Sequence, residues 1–294
     1  MSMRDFSQDH RWLSINTATV RKQRGAEVPL SRIIDQCAQR GIQAISPWRD
    51  QVAAVGIDVV ARQLKAHGME LSGYCRGGFF PAPDAAGLRA ALDDNRRAID
   101  EARTLGAPCL VLVVGALPGA LAGKAAYKDL GRARTEVRDG IAASLEYARE
   151  VGMPLAIEPL HPMQAADRAC VNTLEQALDL CDELDPQQSG MLGVALDAYH
   201  CWWDPKLEQQ IARAGRTRLL AYHVCDWLTP TRDLLSDRGM MGDGVIELRK
   251  LRGWVEQSGY TGYSEVEIFS ELDWWKRDGE EVLDTCITRH RSVV

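Results

Sequence analysis

The feature that most constrains the fold is a repeated helix end, where a glycine stops a helical segment and a short apolar segment follows. Segment 104–108 (TLGAP) precedes the apolar run 109–113, and segment 150–154 (EVGMP) precedes 155–158. Glycine suits the left-handed position after a helix, and proline cannot continue one. Such glycines recur at positions 41, 68, 106, 152, 190, 215 and 259. Their average spacing of about 36 residues is what one strand, one helix and two loops need.

Eight candidate strands can be recognised, and each is followed by a helical segment, although the second and sixth helices are weakly marked. Alternating strands and helices form either an open doubly wound sheet or a closed barrel. Eight units in 294 residues favour the barrel. The G-x-G-x-x-G signature of a dinucleotide-binding sheet does not follow the first strand. We therefore predict an α/β fold, a single (β/α)8 TIM-barrel domain over residues 1–294 with its core at about 12–290.

Composition and charge exclude several classes of protein. The chain has 41 acidic and 35 basic side chains, and this acidic balance argues against a nucleic-acid partner. Its eight cysteines are scattered without a C-x-x-C pair, as in a reducing cytoplasm. The N-terminal segment lacks an apolar signal core, and the longest apolar stretch is far shorter than the ~20 residues of a membrane span. We expect a cytoplasmic protein without a membrane partner; its Trp-rich loops are compatible with a homodimer or homotetramer.

The last four predicted strands each deliver an acid or a histidine at the carboxyl end, where barrel enzymes place their chemistry. These residues are Glu158, Asp197, His223 and, in the eighth strand, Glu265 and Glu267. One acid at a strand end can simply cap a helix or pair with a lysine, but four consecutive strands indicate a common site. Glu267 lies nearer the strand end and is the preferred site residue. Glu265 points the same way and is expected one layer deeper, where it could hold a neighbour.

Three carboxylates and one imidazole that converge without a cation would leave the carboxylates repelling one another. A divalent metal ion resolves that conflict, so we predict a metal site formed by Glu158, Asp197, His223 and Glu267. Oxygen ligands with one imidazole suit Mn²⁺, Mg²⁺ or Co²⁺, and Zn²⁺ is a further candidate. Mn²⁺ is the first expectation among them.

Five segments carry a resemblance to a known family. They are IEPLHP at 157–162, LDAYH at 196–200, YHVCDW at 222–227, DRGMMGDGVIEL at 237–248 and VEIF at 266–269. In this order and spacing the chain resembles the xylose isomerase-like TIM-barrel superfamily. The closer likeness is to its sugar isomerase and epimerase branch, which includes D-tagatose 3-epimerase and inosose isomerase.

The resemblance implies roles for individual residues. The four strand-end residues would be the metal ligands, and Glu158 and Glu267 would also act as the catalytic acid and base. His200 and Arg238 match substrate-binding residues of the family, although the loop 228–236 before Arg238 is longer than in the short epimerases. His161 lies outside this pattern. It is a candidate for an extra acid or base, or for a rim position hydrogen-bonded to a neighbour.

Two more residues are predicted to bind substrate from their own chemistry. Trp202 follows His200 closely, and sugars pack their C–H faces on aromatic rings in pockets of this kind. Arg76 is a candidate anchor for a carboxylate or phosphate, and a solvent-facing arginine paired with an acidic loop is the alternative. No phosphate-binding glycine loop is evident, which favours an unphosphorylated substrate.

The sequence thus predicts a divalent-metal-dependent isomerase or epimerase of a sugar, keto-sugar or inosose. It would abstract a proton next to a carbonyl and pass through a metal-stabilised enediolate. Two alternatives stay open at this point. One is a metal-dependent lyase or hydratase that acts on 3-keto-sugars or 3-keto-glycosides by β-elimination. The other is a non-catalytic sugar-binding subunit with the same barrel. In each case the partner is a small carbohydrate.

Overall fold

The computed structural model describes residues 3–294, in which short parallel strands alternate with helices. The strands are β1 Leu13–Asn16, β2 Ala44–Ser46, β3a Glu70–Leu71, β3b Tyr74–Gly78, β4 Leu110–Val113, β5 Leu155–Ile157, β6 Leu192–Asp197, β7 Leu219–Val224 and β8 Ser264–Val266. The helices are α1 Leu30–Gln39, α2 Arg49–Val55, α3 Ile57–His67, α4 Ala85–Leu105, α5 Leu130–Val151, α6 Leu174–Leu184, α7 Ala198–Cys201, α8 Leu207–Arg218, α9 Leu248–Gln257 and α10 Gly279–Val293. In these residues no helix is both long and apolar enough to cross a membrane.

The strands form one parallel sheet that closes into a barrel at its interrupted third strand. Their order is β3a-β2-β1-β8-β7-β6-β5-β4-β3b, so the two halves of an interrupted third strand lie at the ends of the order. β3a pairs with β2, and β3b pairs with β4. A parallel bridge between Trp48 and Cys75 links the segment after β2 to β3b. The predicted (β/α)8 TIM barrel is therefore confirmed.

Most of the glycines that predicted the repeat follow helices, but Gly190 lies in the loop between α6 and β6, and Gly215 lies at a kink inside α8. All seven have positive φ angles. Gly68, Gly106 and Gly152 follow α3, α4 and α5 in the left-handed conformation, with φ of 64°, 73° and 74°. A residue with a Cβ is strained there, which is why glycine stands at these ends. The two weakly marked helices are also the irregular ones, since α2 and α3 share one unit and the short α7 precedes α8.

Side chains in the central strands alternate between the two faces of the sheet, as the two-residue period of a strand requires. The outward residues of β4–β6 pack in the large core under the helices: Leu110, Leu112, Leu155, Ile157, Leu192, Val194 and Leu196. The inward residues form a separate small cluster with Cys75: Cys109, Val111, Ala156, Ala195 and Ala221. Two residues after the last three of these stand Glu158, Asp197 and His223. The same alternation therefore aims all three into the barrel, above a floor of small side chains.

At the opposite end of the barrel, a buried ion pair joins α6 to the start of β7. Arg218 and Asp185 are 2% and 0% exposed, and Nη1 of Arg218 donates to Oδ2 of Asp185 at 2.8 Å. The same guanidinium donates to the carbonyl oxygens of Leu192 and Cys181. Together these bonds give the buried guanidinium a counter-ion and hydrogen-bond acceptors, without which its charge would be strongly destabilising in the interior.

Replacing Asp185 with Asn should lower the free energy of unfolding by about 3 kcal/mol at pH 7, because Arg218 would lose its buried partner and keep only the half-exposed Asp182 at 3.6 Å. Urea unfolding measures this loss. Asp179→Asn is the matched control, since Asp179 bonds Arg213 at 2.7 Å with 63% of its side chain exposed. The control should lose less than about 1 kcal/mol. Equal losses in the two variants would contradict the account.

The difference between wild type and Asp185→Asn should also depend on pH. Burial acts to raise the pKa of Asp185, but bonds from Ser189, Arg149 and Arg218 outweigh it and lower that pKa below 3.8. A lowered folded-state pKa gives stability that is complete above the unfolded value of about 3.9 and is lost as pH falls through the folded value. The stability gap should therefore shrink below about pH 4, and a gap that is constant from pH 7 to pH 3 would contradict this.

Candidate active site

Four side chains converge at the carboxyl ends of β5–β8. Each of Glu158, Asp197, His223 and Glu267 offers one ligand atom, and these atoms lie within 4.8 Å of one another. Nδ1 of His223 lies 3.1 Å from Oε1 of Glu158 and 3.8 Å from Oε2 of Glu267. All four are buried, with 5% or less of each residue exposed. The structure thus brings together the four residues that the strand ends indicated.

Burial and mutual repulsion shift the protonation of this cluster. Burial raises the pKa of Glu267 to about 8, with Arg238 opposing the shift and Glu158 adding to it. Burial acts in the same direction on Asp197, but Arg238, His200 and His223 hold the pKa of Asp197 well below its usual value. The pKa of each carboxyl group therefore depends on how closely the positive groups, chiefly Arg238, approach it.

Arg238 crosses the cluster from the side of β7. Its Nη1 donates to Oδ2 of Asp197 at 2.8 Å and to Oε2 of Glu267 at 3.1 Å. The guanidinium lies over the ring of Tyr199 at 4.4 Å and over that of Phe269 at 5.2 Å. The long loop 228–236 does not carry Arg238 away, because Asp226–Trp227 and Arg238–Gly239 pair as an antiparallel ribbon at its base.

His200 and His161 form a linked pair above the cluster. The backbone N–H of His161 donates to Nδ1 of His200 at 3.1 Å. Burial lowers the pKa of His200 to about 3, so its ring is neutral at pH 7. Nδ1 accepts this bond, and Nε2 lies 3.2 Å from Nη2 of Arg238, which can only donate, and 3.7 Å from Oδ2 of Asp197. His161 occupies the rim, where its ring stacks on Trp227 at 4.8 Å.

Glu265 lies one layer below the cluster. It is 1% exposed, and its Oε1 lies 3.5 Å from Nε2 of His223, the ring nitrogen that faces away from Glu158. Oε1 also accepts from Nδ2 of Asn16 at 2.8 Å, and Oε2 accepts from the hydroxyl of Ser72 at 2.7 Å. The carboxylate is therefore fixed by two donors while it faces the imidazole. This is the deeper position that the sequence indicated.

The two other predicted substrate contacts lie outside the cluster. Trp202 approaches Trp227 with ring centroids 5.8 Å apart and lines a groove of about 220 Å³ between α8 and α9. Its role as a substrate contact stays a prediction. Arg76 lies in the middle of β3b, half-buried over the rings of Phe79 at 4.2 Å and Trp48 at 5.8 Å. The alternative of a solvent-facing arginine paired with an acidic loop is not what the structure shows.

Sequence reasoning missed the residue that organises the segment after Arg238. Asp226 is fully buried, and its Oδ1 accepts from the backbone N–H groups of Trp227 at 2.9 Å and Ile246 at 3.0 Å. Its Oδ2 accepts from the backbone N–H of Gly242 at 2.9 Å. The only sequence signal was the place of Asp226 in the motif 222–227.

Comparisons with known proteins agree with this geometry. A family model described as xylose isomerase-like TIM barrel matches residues 34–286. The chain is 23% identical over 210 residues to the inosose isomerase of Halalkalibacterium halodurans, which covers 70% of this chain and 69% of that relative. These matches confirm the resemblance inferred from the motifs.

Two solved structures share the whole fold. Protein SMc04130 from Sinorhizobium meliloti 1021 is 56% identical and superposes with a TM-score of 0.90, over 96% of this chain and 98% of that chain. The IolI protein, solved with a zinc atom, is 21% identical and superposes with a TM-score of 0.79, over 96% and 97% of the two chains. At that identity the second likeness shows the fold alone.

Replacing Asp226 with Ala should release the segment 240–246 and lower the free energy of unfolding by about 2–3 kcal/mol, because buried N–H groups lose their acceptor. Urea unfolding measures the loss, and hydrogen exchange should become faster in that segment. Asp243→Asn is the control from the same segment, since Asp243 makes a partly exposed pair with Arg289 at 3.1 Å. Unchanged exchange at 240–246 in Asp226→Ala would show that the carboxylate does not hold the segment.

Proposed function

The chain belongs to the xylose isomerase-like TIM barrel family, and on that premise we propose that it is a divalent-metal-dependent isomerase or epimerase of a sugar, keto-sugar or inosose. The observation that carries the proposal is the convergence of Glu158, Asp197, His223 and Glu267 within 4.8 Å. Relatives with this fold include an inosose isomerase. The substrate class follows from that similarity and from the aromatic rim.

The donor set fits a divalent cation. Three carboxylate oxygens and one imidazole nitrogen are hard or borderline ligands, and they face one point in a buried site. We propose Mn²⁺ as the resident ion, with Mg²⁺, Co²⁺ or Zn²⁺ as the other members of the class that these ligands accept. When bound, the ion would supply positive charge that stabilises an oxyanion developing beside a carbonyl.

Glu158 and Glu267 are the proposed acid and base. They follow β5 and β8, which are separated by β6 and β7, and both approach Nδ1 of His223 from different strands. Two carboxylates on different sides of a bound substrate can remove a proton from one carbon and return it at another position.

Arg238 and His200 are the proposed substrate anchors. The Nη1 of Arg238 already donates to two carboxylates of the cluster, and its planar group can redirect a donor to a substrate oxygen. The Nε2 of the neutral His200 faces the same space, 3.2 Å from Nη2 of Arg238. Together they can orient a hydroxyl and a carbonyl with respect to the two glutamates.

Solvent-deuterium exchange tests the proton transfer. With Mn²⁺ and a ketose panel in D₂O, Glu158→Gln and Glu267→Gln should each lower exchange by about 100-fold or more, because each removes an acid–base group. Chelation should abolish exchange in the wild type, and added Mn²⁺ should restore it. Glu271→Gln is the control, since that side chain is 51% exposed and pairs with Lys22.

Exchange at the wild-type rate in either glutamine variant would remove that glutamate from the role. Metal content is measured in both variants, so that loss of the ion is separated from loss of the base. Product mass is read in the same assay with a 3-keto-glycoside. Release of the aglycone would show that the protein acts as a lyase and not as an isomerase.

Replacing Glu265 with Gln should weaken Mn²⁺ binding by about 10- to 100-fold, because the carboxylate that faces Nε2 of His223 orients the ligand nitrogen. Titration calorimetry measures the affinity, and unfolding of the metal-free protein is measured separately. Ser72→Ala removes one bond to Glu265 but leaves its carboxylate in place, so it should change affinity much less. If Glu265→Gln lost only stability and kept its Mn²⁺ affinity, Glu265 would be a packing residue.

A further inference from the structure

Two partly buried arginines near the mouth of the barrel have no ion pair and no side-chain hydrogen bond. Within the described residues, the other buried or partly buried arginines have such a partner. Other arginines without a hydrogen bond or ion pair are exposed on helices: Arg32, Arg62, Arg89, Arg96, Arg103 and Arg216. Arg76 and Arg168 are partly shielded instead, and within residues 3–294 no carboxylate oxygen lies within 4.0 Å of either guanidinium. Shielded charges are normally paired, so these two require an explanation.

Arg76 is held by aromatic faces and not by an acid. Its guanidinium lies 4.2 Å from the ring centroid of Phe79 and 5.8 Å from that of Trp48. A stacked guanidinium keeps its in-plane N–H donors free for a ligand. It lines a cavity of about 420 Å³ together with Arg49 and Asp50.

The acids around this cavity already have partners. Arg49 bonds Asp94 at 2.8 Å and Glu101 at 2.7 Å, and Arg21 bonds Asp50 at 2.6 Å. Among the described residues, Arg76 is therefore the guanidinium in this cavity that has no acidic partner.

Arg168 brings a second positive charge to a neighbouring cavity, because its chain neighbour Asp167 and the Phe79 ring that stacks on Arg76 both line a cavity of about 260 Å³. Arg168 lies after β5 and lines a cavity of about 600 Å³ with Asp167 and Asp233. Asp233 is engaged by the backbone N–H of Ser236 at 2.7 Å, and Asp167 is not within ion-pair distance of Arg168. Burial lowers the pKa of Arg76, and the nearby charge of Arg168 lowers it further. Two like charges at neighbouring cavities would be stabilised by an anion that reaches both.

Arg76 is placed next to the candidate active site. Cys75, the preceding residue, lies in the barrel interior, where burial raises the pKa of its thiol and the carboxylates of Glu267, Glu265 and Glu158 raise it further. Trp48 packs on Phe269 with ring centroids 5.5 Å apart, and Phe269 in turn lies 5.2 Å from the guanidinium of Arg238. One aromatic pair thus separates Arg76 from a proposed substrate anchor.

We propose that Arg76 and Arg168 bind an anionic terminal group of the substrate, a carboxylate or a phosphate ester, so that the substrate is a sugar acid or sugar phosphate. The inference rests on the proposed function, since the carbonyl end would lie at Glu158 and Glu267. A guanidinium presents parallel N–H donors that match two oxygens of such a group. The aromatic wall of Trp48 and Phe269 would then cover the carbon chain between the two ends.

The test compares matched probes that differ only at the terminal carbon. D-fructose, D-fructuronate and D-fructose 6-phosphate, with the corresponding D-tagatose set, are assayed for solvent-deuterium exchange with Mn²⁺. The wild type should prefer an anionic member over the neutral ketose by about 10- to 100-fold in kcat/KM, as bonds between charged groups allow. Preference for the uronate or for the phosphate ester decides which anion the subsite takes.

Variants then assign the preference to the two arginines. In Arg76→Gln and Arg168→Gln the ratio of anionic to neutral kcat/KM should fall by about 10-fold or more, and Arg76→Lys should recover part of it. Arg62→Gln, an exposed arginine without a partner, should keep the wild-type ratio. Equal kcat/KM for anionic and neutral probes in the wild type, or an unchanged ratio in both Gln variants, would overturn the subsite.

Binding separates this inference from the proposed function. If no probe exchanges deuterium in the Mn²⁺-loaded protein, the proposed function fails for these sugars and the subsite is judged by thermal shift. A rise in Tm with the uronate or phosphate ester in the wild type, absent in Arg76→Gln, supports the subsite. No rise in the wild type with either anion overturns it.

Discussion

Repulsion among three buried carboxylates is the constraint on which the rest of the site depends. Two unit charges about 4 Å apart repel by about 4 kcal/mol at an effective dielectric constant of 20. The structure is near that separation, because one ligand oxygen from each of Glu158, Asp197 and Glu267 lies within 4.8 Å of the others. The chain surrounds them with Arg238 on one side and His223 on another. A divalent ion at their centre would remove most of the remaining imbalance.

The backbone geometry of the barrel determines that these charged side chains point into its interior. The strands are parallel and alternate with period two, so the residue two positions beyond each interior alanine must also face inward. Small side chains at Ala156, Ala195 and Ala221 keep the interior narrow below the site. The outward residues fill the core under the helices. The same alternation of inward and outward residues therefore builds the stabilising core and places the acidic side chains.

Charge is also divided in space at the mouth of the barrel. The anionic cluster lies at the ends of β5–β8, whereas the unpaired guanidiniums of Arg76 and Arg168 lie beside β3b and in the segment after β5. Trp48 and Phe269 stand between the two regions. Such a division suits a ligand with a carbonyl and hydroxyls at one end and an anion at the other.

The sequence alone determined the barrel and most of the cluster because both depend on local patterns. Helix-ending glycines mark most of the repeats, and the strand ends show Glu158, Asp197 and His223 directly. The choice of Glu267 over Glu265 also followed from strand position, since two residues on one face differ only in depth.

Tertiary structure decided what depends on distant segments meeting. The bonds of Glu265 come from Asn16 and Ser72, which are far from it in the chain. The backbone donors that Asp226 collects from 242 and 246 have no local signature. Nor does the lack, among the described residues, of a carboxylate oxygen within 4.0 Å of the guanidinium of Arg76. Pairing across a barrel is set by closure and register, and a one-dimensional pattern does not contain either.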